Sequence, residues 1–303
     1  MKKDLSFGRV VIPASEQVRI STLNLLHNPE SLDERVDFLC QNLSRSAPDI
    51  LCLQEVIFDS GDSSVYLKRI ASETGLEVVS SIRQHESRTG LMSGTAILSS
   101  LDVISSGSFF LDNADPGATN QHGSFVILQH PLGNAVIAIT AHLHWGGENE
   151  YGRLTQLMAI NAKANEFAET YRDLNPVILL TGDFNALPDG DAIRFMTGKG
   201  IVAGHKGAYW TDAWGMLGNA DNEFTMVPDN HWARETAYGC GIDIPELMPK
   251  RRIDYIMSYG WTYGKHGSPL TFAKDYDAVS PLGYPISDHA GLTADYWVKP
   301  KTV

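Results

Sequence analysis

Several features that would mark a modular or membrane protein are missing from this chain. It has no linker rich in Pro, Ser or Gly, no low-complexity tract, no block of like charge and no internal repeat. We therefore expect one domain over residues 1–303, a length that large two-sheet α/β domains reach as one unit. No apolar run approaches the roughly 18 residues that a membrane span needs, and residues 1–7 lack the apolar core of a signal peptide. These absences predict a cytoplasmic protein without a membrane span, and we expect a monomer.

Cysteine is scarce and positive charge is in deficit. Cys40, Cys52 and Cys240 form an odd set without metal-site spacing, and the first two lie in apolar patterns that predict reduced core residues. The net charge is −12, and the only compact basic cluster is Lys250-Arg251-Arg252. A protein that grips nucleic acid by neutralising phosphates normally shows a basic face. The charge balance argues against a strong sequence-independent DNA binder, but not against a nuclease whose metal supplies the positive charge.

The hydrophobic pattern alternates between strands and helices. Strands outnumber helices and several neighbouring strands have no helix between them, which favours two packed, mixed β-sheets with helices outside over a single Rossmann-type sheet. Ser31, with Glu34 three residues later, predicts a capping box at the start of a helix. From about residue 198 to residue 250 the pattern is irregular and aromatic. Loops on a rigid scaffold usually carry recognition, so we interpret this segment as the specificity region.

Polar residues close or follow the apolar strands. Asp183 and Asn185 end one such run and, being two positions apart, are expected to project from the same side of an extended chain, although an Asx turn is the other interpretation. Six strand regions carry a carboxylate, amide or imidazole of this kind: Asn24, Glu55, His142, Asp183 with Asn185, Asp254, and Asp288 with His289. Strand ends gathered at one sheet edge are where α/β enzymes build sites. The oxygen-rich set favours Mg²⁺ or Mn²⁺ over Zn²⁺.

The motifs that contain these residues follow one another in a characteristic order. They are Thr22-Leu23-Asn24, Leu53-Gln54-Glu55, Ser93-Gly94-Thr95-Ala96-Ile97-Leu98-Ser99, Thr140-Ala141-His142-Leu143, Gly182-Asp183-Phe184-Asn185, Arg252-Ile253-Asp254-Tyr255-Ile256 and Ser287-Asp288-His289. In this order, across nearly the whole chain, they resemble the endonuclease/exonuclease/phosphatase superfamily. The resemblance implies a four-layer α/β sandwich, with two packed mixed sheets flanked by helices. It also implies divalent-metal-dependent cleavage of a phosphoester by water.

The resemblance also implies a role for each residue. Glu55 would be the principal metal ligand, with Asn24 beside it and Asp288 helping through water. Asp183 would orient or activate the attacking water, and Asn185 would hold a phosphate oxygen or the nucleophile. His289, oriented by Asp254, would be the general base or a charged phosphate ligand, and His142 would contact the scissile phosphate. The sequence leaves open whether Asp183 or His289 takes the proton.

Departures from the family pattern bear on the substrate. Many relatives carry an arginine where this chain has Asn120-Gln121-His122, so we expect His122 or Arg153 to supply that phosphate contact. Arg153 with Gln156 resembles the Arg-x-x-Gln that many relatives show after the Thr-His-Leu strand. His144 would share the side of His142 if that strand continues. Trp210 and Trp232 are candidates for stacking a base or covering a sugar, with the core of a folded loop as the other interpretation.

Taken with the resemblance, these residues predict a Mg²⁺-dependent (or Mn²⁺-dependent) phosphoesterase. A phosphodiester, such as a nucleic acid or a nucleotide, is the favoured substrate. The alternative is a phosphatase acting on a small phosphorylated metabolite or lipid headgroup. A non-catalytic binding module on the same scaffold is disfavoured, because such a module has no reason to keep the full polar set.

Overall fold

The computed structural model describes residues 2–59, 64–86, 90–111, 121–202 and 204–301. In chain order its strands are β1 (Leu5–Phe7), β2 (Val10–Ile12), β3 (Gln17–Asn24), β4 (Ile50–Phe58), β5 (Glu77–Glu86), β6 (Met92–Ser99), β7 (Asp102–Leu111), β8 (Gln121–Gln129), β9 (Ala135–His142), β10 (Val177–Asp183), β11 (Ile201–Val202), β12 (His205–Lys206), β13 (Trp210–Asp212), β14 (Asp254–Tyr259), β15 (Pro269–Asp275) and β16 (Gly291–Trp297). The α-helices are α1 (Leu32–Ser46), α2 (Val65–Thr74), α3 (Glu150–Thr170), α4 (Asp191–Met196), α5 (Ala213–Leu217) and α6 (His231–Gly239).

Two six-stranded sheets form the centre of the protein. The first has the order β15-β16-β3-β4-β6-β5, and the second has the order β13-β14-β10-β9-β8-β7. Each sheet contains one parallel pair, β3 with β4 and β9 with β10, among antiparallel neighbours. The two mixed sheets predicted from the sequence are confirmed.

The layers follow from where the apolar side chains go. Val18, Ile20 and Cys52 of the first sheet meet Val136 and Leu179 of the second in a buried layer between the sheets. On its outer face the first sheet packs against α1 and α2, and the second packs against α3 and α4. The order helix, sheet, sheet, helix is the predicted four-layer α/β sandwich.

Alternation along the central strands directs particular polar residues into the gap between the sheets. In β10, Val177 and Leu179 face that gap, whereas Ile178 and Leu180 face the outer helices. Since side chains alternate along a strand, the inner face continues through Thr181 to Asp183. Counting the same way, β3, β9 and β14 place Asn24, His142 and Asp254 on the inner face at the same edge. The apolar layer therefore ends in a polar edge.

Two hydrogen bonds join the sheets just below that edge. Gln54 Nε2 donates to Thr140 Oγ1 over 2.9 Å, and the hydroxyls of Thr95 and Ser124 lie 2.6 Å apart. All four side chains are buried. Because buried polar groups are costly unless they are paired, these bonds fix how one sheet sits on the other.

Some sequence predictions about local structure were wrong. Ser31 precedes α1 in a left-handed conformation and its side chain caps nothing, while Glu34 is hydrogen bonded to Ser280, so the capping box does not form. The region from 198 to 250 contains α5, α6 and three short strands rather than irregular chain alone. The free thiols of Cys40 and Cys52 are buried as expected. None of the described helices is long and apolar enough to cross a membrane.

Candidate active site

Three strands of the second sheet place their polar residues in one row. Asp183 is paired in register with His142 on the parallel strand β9 and with Asp254 on the antiparallel strand β14. His142 Nε2 lies 3.5 Å from Asp183 Oδ2. The pairing pattern itself therefore sets the spacing of these side chains.

A β-bulge turns Glu55 into the site. Leu53 pairs with Ala96 and Val56 pairs with Gly94, so β4 contains one residue more than its partner strand over this stretch. Leu53 and Val56 both pack under the outer helices, and Glu55 between them has a left-handed φ of 54°. Bulges next to active sites commonly redirect a side chain. Here the extra residue is the acid, whose side chain leaves the core for the polar edge.

Asn24 links the acids of the two sheets. Its Nδ2 donates to Glu55 Oε1 and to Asp183 Oδ2, both over 3.0 Å. Its Oδ1 accepts the backbone N–H of Leu26 over 2.9 Å and keeps a second lone pair. The buried amide of Asn24 thus holds a carboxylate from each sheet at a fixed separation.

His289 is buried between two carboxylates. Its Nδ1 lies 2.8 Å from Asp254 Oδ2, and its Nε2 lies 3.7 Å from Asp183 Oδ2. Burial alone would lower the pKa of His289, but the charges of Asp254, Asp183 and Asp288 outweigh it and raise the pKa well above the ordinary value. The surrounding carboxylates therefore favour the protonated form of His289.

Asp288 is fixed by neighbours outside the row. Thr236 of α6 donates to its Oδ2 over 3.0 Å, and the hydroxyl of Ser287 donates to its Oδ1 over 3.1 Å. Burial raises the pKa of Asp288, and the charge of Glu55 adds to this, against the lowering effect of His289. The charges of Glu55 and His289 thus both act on Asp288.

His27 belongs to the site, although the sequence analysis did not select it. Its ring and its backbone N–H both hydrogen bond to Glu55 Oε2, and its ring centroid lies 6.3 Å from that of His85. Burial opposes the ionisation of Glu55, but the hydrogen bond and charge of His27, with the charge of His142, lower its pKa below the ordinary value. The only sequence signal for His27 was an imidazole three residues after Asn24.

Arg35 of α1 clamps the loop that follows Asn24. Its guanidinium donates to the backbone oxygens of Leu25, Leu26, Asn28, Glu30 and Ile286. It also lies 5.5 Å from the ring centre of Trp232. Burial lowers the pKa of Arg35 to about 10. This one side chain joins the loop carrying His27 to the segment carrying Asp288 and His289.

Arg153 serves the backbone and not the substrate. It is only 4% exposed, and its guanidinium donates to the carbonyls of His144, Gly146 and Gly147 and to the carboxylate of Glu150. These bonds occupy four of the five N–H groups of the buried guanidinium, so the structure gives no support to the expected phosphate contact by Arg153. Gln156, its partner in the Arg-x-x-Gln pattern, accepts the backbone N–H of His144.

Two predictions that depended on extended chain also fail. β9 ends at His142, and His144 lies in the following loop, where its Nδ1 accepts the N–H of Gly146. β10 ends at Asp183, and the left-handed Asn185 donates its backbone N–H to Asp183 Oδ1 in an Asx turn. Asn185 Nδ2 donates to the carbonyl of Leu143, which leaves one N–H of the amide for another partner.

The aromatic candidates are structural. Trp210 is 2% exposed and its Nε1 donates to Asn161, while Trp232 is 1% exposed and its Nε1 donates to the carbonyl of Pro285. Neither can stack a substrate, which corrects the prediction from the sequence. His122 packs edge-on against Phe110 with ring centroids 5.9 Å apart, and no bond joins it to the residues around Asp183 in the described chain.

The chemistry of the donor set fits a hard cation. Glu55, Asp183, Asp254 and Asp288 bring four carboxylates to this edge, and among the described residues their ion-pair partners are imidazoles only. Asp183, Asp254 and His289 each offer a ligand atom within 4.8 Å of the others. His289 is, however, already paired with Asp254. Glu55 is the acid at the partly exposed end of the polar edge.

The sequence profile of the Endonuclease/Exonuclease/phosphatase family matches residues 21–289. The chain belongs to this family. Its members are phosphoesterases, and the polar edge and the whole second sheet of this protein lie inside the matched range. The predicted family and fold class are thereby confirmed.

Individual proteins of this family resemble the chain to different degrees. Protein angel of Drosophila melanogaster is 29% identical over 184 residues, which cover 57% of this chain and 49% of that relative, about half its length. A crystal structure of D. rerio TDP2 complexed with single strand DNA product has a TM-score of 0.66 at 19% identity and covers 92% of this chain and 98% of that one. A mannosyl-6-phosphatase from Bacteroides thetaiotaomicron has a TM-score of 0.65 at 16% identity and covers 92% and 99%. Both structures share the fold of this chain.

Proposed function

We propose that this family member is a phosphodiesterase that uses Mg²⁺ or Mn²⁺ and acts on a nucleic acid or nucleotide. The observation that carries the proposal is an unbroken series of polar contacts across the two sheets. Asp254 bonds to His289, His289 faces Asp183, and Asn24 joins Asp183 to Glu55. An acid, an imidazolium and a carboxamide held in one row can place a water molecule and a phosphate together.

Each residue has a task in this proposal. Asp183 orients the attacking water and takes its proton. His289, protonated and fixed by Asp254, holds a phosphate oxygen through Nε2–H, and His142 contacts a second oxygen from the opposite side. The remaining N–H of the Asn185 amide is available to the same phosphate. Bound Mg²⁺ or Mn²⁺, held by Glu55 with Asn24 and, through water, Asp288, would neutralise the charge that develops on the phosphate.

The arginines favour a diester over a monoester. A phosphomonoester is a dianion near neutral pH and is usually held by arginine or lysine. Among the described residues, two buried arginines near the site, Arg35 and Arg153, direct their donors at backbone carbonyls and at Glu150. A diester carries a single charge and needs less compensation. The D. rerio TDP2 structure with a single strand DNA product supports a nucleic-acid substrate within this fold.

A phosphatase is the second candidate. It is favoured by the structural likeness to a mannosyl-6-phosphatase. The imidazoles of His27 and His142 beside Glu55 could supply charge that the arginines do not.

Hydrolysis of two chromogenic esters separates the candidates. We expect bis(4-nitrophenyl) phosphate to be cleaved faster than 4-nitrophenyl phosphate, with Mg²⁺ or Mn²⁺ present and not with excess EDTA. A panel of single-stranded and duplex oligonucleotides and phospholipids then narrows the substrate. Preference for the monoester would overturn the diester proposal, and full activity in EDTA would overturn the metal requirement.

A further inference from the structure

We infer that Trp145 is a specificity residue on which a nucleobase of the substrate stacks, an inference that rests on the proposed phosphodiesterase function. Trp145 is 71% exposed, and the described residues make no ring contact, cation–π contact or hydrogen bond with its side chain. Tryptophan combines a large apolar face with a polar N–H, and it is enriched at binding interfaces for that reason.

The position of Trp145 is set by the residues of the active site. It follows His142 by three residues, so their Cα atoms are separated by at most about 10 Å. Between them, the N–H of Leu143 donates to the carbonyl of Asp183, and the carbonyl of Leu143 accepts Asn185 Nδ2. The loop that presents Trp145 therefore starts from the backbone of the proposed catalytic residues.

That loop is held rigidly from beneath. The buried guanidinium of Arg153 donates to the carbonyls on both sides of Trp145, those of His144 and Gly146, over 3.1 and 2.5 Å. Gln156 accepts the N–H of His144, and the N–H of Asn149 donates to the carbonyl of Gly146. A preorganised aromatic ring loses little conformational entropy when it binds a ligand. This gives Arg153 a positioning role in place of the phosphate contact that its sequence motif suggested.

The charge around the ring identifies the part of the substrate that it contacts. Glu148 and Glu150 follow Trp145 in the same loop and helix start. Arg153, the nearest cationic residue along the chain, is buried and paired with Glu150. A phosphate would be repelled here, whereas an uncharged planar base would not. Aromatic stacking also supplies affinity that does not depend on neutralising phosphates, which suits a chain of net charge −12.

The test uses a thymidine dinucleotide and analogues in which an abasic tetrahydrofuran replaces either nucleoside. We expect Trp145→Ala to lower kcat/KM on the dinucleotide by about 10- to 100-fold and to leave it unchanged on the analogue that lacks the stacked base. Trp145→Phe should keep most of the activity. Because stacking is not ionic, the loss should be the same at low and at high salt.

Trp261→Ala is the matched control, since Trp261 is 60% exposed and lies two residues beyond the end of β14 opposite to Asp254. Equal losses on the dinucleotide and both abasic analogues, or equal losses in the two alanine variants, would overturn the inference. Unchanged dinucleotide kinetics with weakened binding to phosphatidylcholine vesicles would assign the ring to a lipid surface instead. A wild-type protein that cleaves no diester would overturn the proposed function itself, and the inference with it.

Discussion

The Nδ1 atom of His289 lies 2.8 Å from Oδ2 of Asp254, and both side chains are almost completely buried. The residues are 35 positions apart in the chain. They meet because β14 begins, and the segment before β16 ends, at the same edge. The carboxylate accepts a hydrogen bond from Nδ1–H and leaves Nε2 facing Asp183.

The pair should titrate as a unit. We expect Asp254→Asn to lower the pKa of His289, because a nearby anion is among the causes that raise it. NMR of the histidine ring resonances against pH measures this, with His205, exposed on β12, as the internal reference. The kinetic losses should be strongly non-additive, so that Asp254→Asn with His289→Ala is scarcely worse than His289→Ala alone. Losses that multiply as independent terms would show that the dyad assignment is wrong.

The raised pKa of His289 also predicts how stability depends on pH. A group whose pKa is higher in the folded state than in the unfolded state stabilises the fold. This contribution is complete at a pH below the unfolded-state pKa, which is about 6.5 for histidine. It is lost as the pH rises through the folded-state pKa. The free energy of unfolding of the wild type, relative to His289→Gln, should therefore decrease from mildly acidic into alkaline pH. Denaturant titrations of both proteins at a series of pH values measure this difference. A constant or increasing difference would contradict a protonated His289.

Glu55→Gln should abolish most activity while the protein stays folded. The substitution keeps the shape of the side chain, but it removes the charge that a divalent cation needs and turns one acceptor oxygen into a donor. Calorimetric titration with Mn²⁺ should show binding to the wild type and a large loss in the variant. Glu166→Gln, on the exposed face of α3, is the matched control and should bind Mn²⁺ like the wild type. Equal binding in both variants would remove Glu55 from the metal site.

Arg35→Lys should be costly despite keeping the charge. Lysine has three donors on one atom and cannot reach the five backbone oxygens that the guanidinium spans. Each buried carbonyl left unpaired costs about 1–3 kcal/mol, so we expect a loss of about 2–4 kcal/mol in the free energy of unfolding. Arg69→Lys on the surface of α2 should change it by no more than about 0.5 kcal/mol. Similar results for the two variants would show that the clamp is unimportant.

Trp210→Ala should affect stability and not recognition. The ring is buried in the outer core of the second sheet, and removing such a side chain typically costs about 3–5 kcal/mol. KM should stay at the wild-type value under conditions where the variant is folded, because β13 pairs with the end of β14 that is remote from Asp254. A raised KM with unchanged melting temperature would restore the ring to the substrate groove.

The sequence predicted the architecture and the membership of the polar edge because both depend on regular strands. Alternation carries the inner face to Asn24, His142 and Asp183, and an apolar pattern is enough to reveal it. The sequence did not decide the local geometry where the backbone departs from regular structure. The bulge at Glu55, the chain turning after His142, and the Asx turn at Asn185 each change where a side chain lies.

Predictions made from residue type alone also gave several long side chains a role in substrate binding that the structure does not support. An arginine beside a phosphate site and an arginine that holds a loop look the same in sequence, and only the carbonyls around Arg153 distinguish them. Trp210 and Trp232 were chosen because they lie in an aromatic segment, but short helices and strands within that segment bury both rings. Trp145, the exposed ring, sits in a different loop.

The strand order of the first sheet has a consequence for when this protein becomes active. β3, made early, has β4 on one side and β16 on the other, and their pairing brings Arg19 and Asp295 together from 276 positions apart. Until translation has passed β16, the segment with Asp288 and His289 has no following strand to anchor it, and β3 is an open edge prone to wrong pairing. Pairing between two strands that lie so far apart in the sequence forms slowly during folding. The proposed site of a nascent chain therefore stays incomplete until β16 is in place.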